Sequence, residues 1–157
     1  MITAYFDNVI TLALGRGRYQ IVAACPVRDL ATWPACLSLR REALARLASN
    51  GPLAISRQVL REYLAVTARP QVWAKPLTLA EALADADGFS RRFTILEDGL
   101  PVWDRLASLG RGFSFGGRQG HDANIVATMT AHGETRLPIF NDAGFRRFSS
   151  MIEIVVP

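Results

Sequence analysis

Short runs of β-forming residues alternate along this chain with stretches of helical period, and that alternation limits its fold more than any other feature. Residues 2–6, Ile-Thr-Ala-Tyr-Phe, read as a strand that ends at Asp7. Residues 9–14 extend that strand or begin a helix, and Gly15-Arg16-Gly17-Arg18 breaks the pattern. Residues 19–36 carry two breakers, Pro26 and Pro34; residues 37–48 have helical character and stop at Asn50-Gly51-Pro52. Leu53-Ala54-Ile55 is a second strand, and Ser56 is placed to cap a helix from Arg57 to about Ala68 with Val59, Leu60, Tyr63 and Val66 inward. After a loop at 69–76, Thr78-Leu-Ala-Glu81 is a capping box for a helix ending near Phe89 or Phe93. A strand at 93–96 and a short helix at 100–109 follow, then a glycine-rich loop at 110–120. A helix from His121 to His132, capped by Gly133, precedes strands at 136–140 and 152–156. Strands separated by helices predict a largely parallel sheet covered on both faces.

With 157 residues and no repeat or internal linker, residues 1–157 are expected to form a single domain. Half of the residues are hydrophobic, enough for a core without disulfide or metal staples. Cys25 and Cys36 have no metal-ligand spacing, and His121 and His132 are too few for a zinc site. No apolar run is long enough to span a bilayer and no signal-peptide pattern opens the chain, so a cytoplasmic protein with no membrane partner is expected. The net charge is +4, from 18 basic and 14 acidic residues. Lys75 is the single lysine among the basic residues. That bias fits either an anionic partner held by guanidinium groups or the base composition of a genome.

In a sheet of this kind, functional groups gather beyond the carboxyl ends of strands. Asp7 follows the first strand, Glu62 lies in the helix after the second, Asp122 opens a later helix, and Asn141 and Asp142 follow the strand at 136–140. Clustered carboxylates repel unless a cation sits among them. Mg²⁺ fills that role with oxygen ligands and activates water for phosphoryl displacement. Each residue also has an ordinary role: Asp7 as a turn residue, Asp122 as a partner of the helix dipole, and Glu62 as a solvated helix position.

Three segments resemble PIN-domain proteins, the toxin ribonucleases of the VapC type. They are Pro52-Leu-Ala-Ile-Ser-Arg-Gln-Val-Leu-Arg-Glu-Tyr-Leu-Ala-Val66, His121-Asp-Ala-Asn-Ile-Val-Ala-Thr-Met129, and Leu137 to Phe148 with its Phe145-Arg-Arg-Phe148. The resemblance covers residues 37–156 and implies a three-layer α/β/α sandwich with a mainly parallel central sheet. It also implies a metal-dependent endoribonuclease that is the toxin of a type II toxin–antitoxin pair. Asp7, Glu62 and Asp122 resemble the first three acidic residues, and Asn141 takes the place of the fourth. The implied cofactor is Mg²⁺ or Mn²⁺. The implied partners are an RNA substrate, a cognate small antitoxin protein and a second copy in a homodimer. Arg16, Arg18 and Arg118 are the candidate RNA-backbone contacts, with Arg40, Arg41, Arg61 and Arg69 as further members of a phosphate track.

Two departures from the family pattern stand out. Asp7-Asn8-Val9-Ile10 is one residue short after the first acid, and residues 11–34 match poorly. Gly144 occupies the place before Phe145 where the pattern puts Asp, so Asp142 either substitutes at the metal or is a turn residue. The alternative function is accordingly an RNA- or protein-binding module with a degenerate, inactive site. A third class is a DNA nuclease or phosphatase built on the same carboxylates.

Overall fold

A computed structural model describes residues 10–12, 21–23, 54–67, 78–139 and 142–155. In order they form β1 (Ile10–Leu12), β2 (Ile21–Ala23), β3 (Ala54–Ser56), α1 (Arg57–Thr67), α2 (Leu79–Arg92), β4 (Thr94–Leu96), α3 (Leu100–Gly112), α4 (Gln119–Ala131), β5 (Arg136–Pro138) and β6 (Glu153–Val155). A 3-10 turn, Arg146–Phe148, precedes β6. The strand expected at 2–6 and the helix expected at 37–48 lie outside the described residues.

The expected central sheet is not what forms. Among the described residues every strand is three residues long, and strands pair only two by two: β1 with β2 antiparallel, β3 with β4 and β5 with β6 parallel. β1 lies beside β3 and β2 beside β5, so the pairs are neighbours without forming one hydrogen-bonded sheet. Helix dominates instead, and the three-layer sandwich with a central sheet is replaced by a mostly helical fold carrying short strand pairs. Local signals account for the short strands. β3 passes straight into α1 because Ser56, its last residue, accepts a hydrogen bond from Val59 N at 3.4 Å and turns the chain. β5 ends at Pro138, which has no N–H for a ladder, although Ile139 N still donates to Val155 O at 2.8 Å.

The helices follow their sequence signals closely. Thr78 and Glu81 form both bonds of the capping box at the start of α2. α3 runs on through Gly110 and Gly112 because its apolar stripe continues to Phe113, whose N–H closes on Leu109 O at 2.8 Å. Phe113 then stacks edgewise on Phe148 at 5.2 Å between ring centroids. α4 begins at Gln119, two residues earlier than the sequence suggests, and Gly133, at φ 72°, ends it in the left-handed region.

α4 is the centre of the core. Ala123, Ile125, Val126, Ala127 and Met129 are all fully buried, so the middle of the helix is covered on every side, while its first turn, with exposed His121, opens to solvent. Its polar groups are satisfied internally: Thr128 Oγ1 donates to Asn124 O at 2.8 Å and Thr130 Oγ1 to Val126 O at 3.0 Å. Val102 and Leu109 of α3 pack against it, together with Leu137, Ile139, Phe145, Phe148 and Ile152. α1 packs on α2 through Tyr63 and Phe89, whose rings meet edge to face at 5.3 Å. Burial and a 2.6 Å hydrogen bond to Asp85 Oδ2 push the Tyr63 phenol up. No helix among the described residues is long and apolar enough to cross a membrane.

Candidate functional site

The N-terminal turn of α4 and one face of α1 enclose a pocket of about 490 Å³, lined by Gln58, Arg61, Glu62, Gly120, His121 and Asn124 among others. The sequence puts them there by helical spacing. Gln58 and Glu62 are four apart on α1, and His121 and Asn124 are three apart on α4, so each pair shares a helix face. Gly117, at φ 55°, turns the glycine-rich segment into α4 and also lines the pocket.

Glu62 is the chemical centre of this pocket. Its side chain is 20% exposed. Oε1 accepts from Gln58 Nε2 at 2.8 Å and lies 3.2 Å from His121 Nδ1, which donates when that nitrogen carries the proton. Oε2 is buried and has no hydrogen-bond partner among the described residues. A buried carboxylate oxygen with no donor is costly to leave unmatched. A second observation concerns Gln58, which is 6% exposed. Its Nε2 also donates to His121 O at 3.2 Å, and its Oε1 accepts from Asn124 Nδ2 at 2.7 Å.

Asp122 sits in the first turn of α4, where the helix dipole favours a negative charge, and it is half-buried. Its carboxylate lies against the backbone of Gly144: a Cβ at position 144 would overlap Asp122 Oδ2 and come within 3.1 Å of its Cγ. The fold thus sets the segment around Gly144 against the start of α4. Asp142 is in the same turn. Phe145 N and Arg146 N both donate to its backbone O, and its Oδ2 accepts from Arg146 Nε at 2.8 Å. That hydrogen bond and the Arg146 charge hold the Asp142 carboxyl below its ordinary range.

Arg118 is the residue just before α4, exposed and next to pocket-lining Gly117. Arg61 lines the pocket but is paired with Asp98 at 2.7 Å, and neighbouring Arg57 is bidentate to Glu97. Asp7, Arg16, Arg18 and Asn141 lie outside the described residues, as do Arg40, Arg41 and Arg69. Among the described residues no three His, Cys, Asp or Glu side chains gather as a metal-holding group. His121, Gln58 and Asn124 were not among the residues singled out by sequence. Two histidines fit no zinc site, and an amide carries no signature until its helix face is known. Searches against known proteins found no matching family model and no matching curated protein.

Proposed function

We propose that this protein is a divalent-metal-dependent endoribonuclease acting at the Glu62 pocket, the toxin component of a type II toxin–antitoxin pair. The observation that carries the reading is Glu62 Oε2, a buried carboxylate oxygen without a donor beside an open pocket. The toxin role, the small antitoxin partner and the homodimer rest on the resemblance of the three sequence segments quoted above. A bound Mg²⁺ or Mn²⁺ supplies an activated water and charge neutralisation at the phosphodiester. Glu62 would hold it through Oε2. Asp122, whose carboxylate lies against Gly144, and Asp142, which bonds Arg146, are the further candidate ligands. Asp7 and Asn141 are the proposed residues that complete the set. Arg118, Arg16 and Arg18 would hold the RNA backbone. Arg61 serves only where Asp98 gives it up.

The test is cleavage of RNA by the purified chain with Mg²⁺ or Mn²⁺. Cleavage that stops with EDTA, and falls by at least about a hundredfold in Glu62→Gln and in Asp122→Asn, is the expected result. Cleavage that survives EDTA or either substitution overturns it. One observation favours a second reading, a binding module with a degenerate site. At position 144, where the family pattern has Asp, Asp122 fills the space any side chain would need. RNA binding without metal-dependent cleavage would establish that alternative.

A further inference from the structure

α3 turns one face to the core and leaves the other open. Val102 and Leu109 are buried, and Leu106 packs beside them. Leu100, Asp104, Ala107 and Arg111 follow the i, i+4, i+7, i+11 spacing of one stripe on the opposite side of the helix, and Trp103 flanks it. Leu100 is 72% exposed and Trp103 63%, in a helix whose valine and other leucines face the core. An exposed Trp beside an exposed Leu is the composition of a contact surface.

The charges on the stripe complement a second copy of it. Asp104 and Arg111 lie seven residues apart, about two turns and roughly 10.5 Å along the axis. Neither forms an ion pair among the described residues, whereas Arg57, Arg61 and Arg146 are each matched by an acid of the same chain. An antiparallel copy of α3, related by a two-fold axis passing between Ala107 and Ser108, sets each Asp104 against the other copy's Arg111. The side chains at that axis are small, so the two helices can approach closely. The same register carries Leu100 and Trp103 to the far end of the second helix, where Gly110 and Gly112 leave room and Phe115 is half-buried.

We propose that the Leu100–Arg111 face of α3 is a self-association surface whose partner is a second copy of this chain, docked antiparallel through two reciprocal Asp104–Arg111 ion pairs. The homodimer proposed above rests on the sequence resemblance; this surface stands on α3 alone and requires neither a metal nor cleavage of RNA. One pair of short helices is at the small end of specific interfaces, so the association is reversible and depends on concentration.

The experiment is sedimentation velocity of the full chain over roughly 1–500 μM, which reads the monomer–dimer Kd, with folding checked by circular dichroism. Asp104→Arg and Arg111→Asp each bring like charges together at two places and should each raise that Kd by about tenfold or more. The double substitution Asp104→Arg/Arg111→Asp restores opposite charges in the same register and should return the Kd to within about threefold of the unaltered chain. Trp103→Ser should weaken the dimer by about tenfold as well, and Asp87→Arg, at an exposed position on α2, should leave it unchanged. If a charge reversal does not fold, Trp103→Ser, on the open face of the helix, carries the test. A chain that stays monomeric across the whole range overturns the proposal. So does a dimer that Asp104→Arg and Trp103→Ser leave as tight as before, or a double substitution that fails to recover it. Each of these results leaves the nuclease reading to its own cleavage test.

Discussion

Gly144→Ala places one methyl group where the Asp122 carboxylate now lies, and its cost follows from the geometry. The new Cβ would overlap Oδ2 and sit 3.1 Å from Cγ, so Asp122 must turn or the segment after β5 must move. Backbone strain is not involved, because Gly144 is not among the glycines at positive φ. Asp122 is half-buried on a helix anchored by the buried run from Ile125 to Met129, so the segment around Gly144 yields before α4 does. Overpacking of this kind costs about 1–3 kcal/mol, and the lower half of that range fits a clash with one short side chain. At roughly 3 °C per kcal/mol for a chain of this size, Tm should fall by about 3–6 °C. The assay is thermal unfolding by circular dichroism in a double-substitution cycle. In an Asp122→Ala background the clash is gone, so Gly144→Ala should cost close to nothing there. An equal loss of Tm in both backgrounds would refute the contact as the cause.

Three further outcomes are expected. Gly88→Ala, inside α2 with nothing within 4 Å of the added Cβ, should stabilise the chain by about 0.4–1 kcal/mol, read as a raised urea midpoint; a lowered midpoint contradicts the open space at that position. Thr78→Ala removes the side-chain half of the capping box and should cost about 0.5–2 kcal/mol in the same assay, with no change expected if the cap forms only in isolation from the rest of the fold. The Asp142 carboxyl is held low by Arg146 and the Glu97 carboxyl by Arg57. Both pairs therefore add stability that is present above the unfolded values near pH 4 and is lost as pH falls through the lower folded values. Melting from pH 7 to pH 3 should show a shallower acid limb in Asp142→Asn than in the unaltered chain, and an unchanged limb removes Asp142 from the acid transition.

Helix ends were the most legible part of the fold. Ser56, the Thr78–Glu81 pair and Gly133 each carry a local bond or a local φ that needs no distant partner, and the structure places all three where the sequence put them. The sheet was the least legible. Alternation along the chain fixes that strands and helices take turns, but it does not fix how many strands share one ladder. That depends on long-range pairing, and here the strands stop at three residues. Gly110 and Gly112 misled for a related reason: each costs about 1 kcal/mol in a helix, and burial of Leu109 with the packing of Phe113 outweighs that preference. At the site, Glu62 stood out only by its place in the helix after the second strand and by the family resemblance, because an acid beside an apolar stripe is by itself an ordinary solvated position. The partners of its Oε1 did not stand out, because Gln58, His121 and Asn124 meet only when α1 and α4 are set face to face.

Whether Glu62 Oε2 binds a cation, as proposed, is tested by a crystal structure of the full chain grown with Mn²⁺ and read by anomalous scattering. The expected result is an anomalous peak within roughly 2.0–2.6 Å of Oε2, the range for hard cations on oxygen, and no such peak in crystals of Glu62→Gln. A well-ordered pocket with no peak at Glu62, or a Mn²⁺ ion held elsewhere in crystals that still cleave RNA, would contradict it.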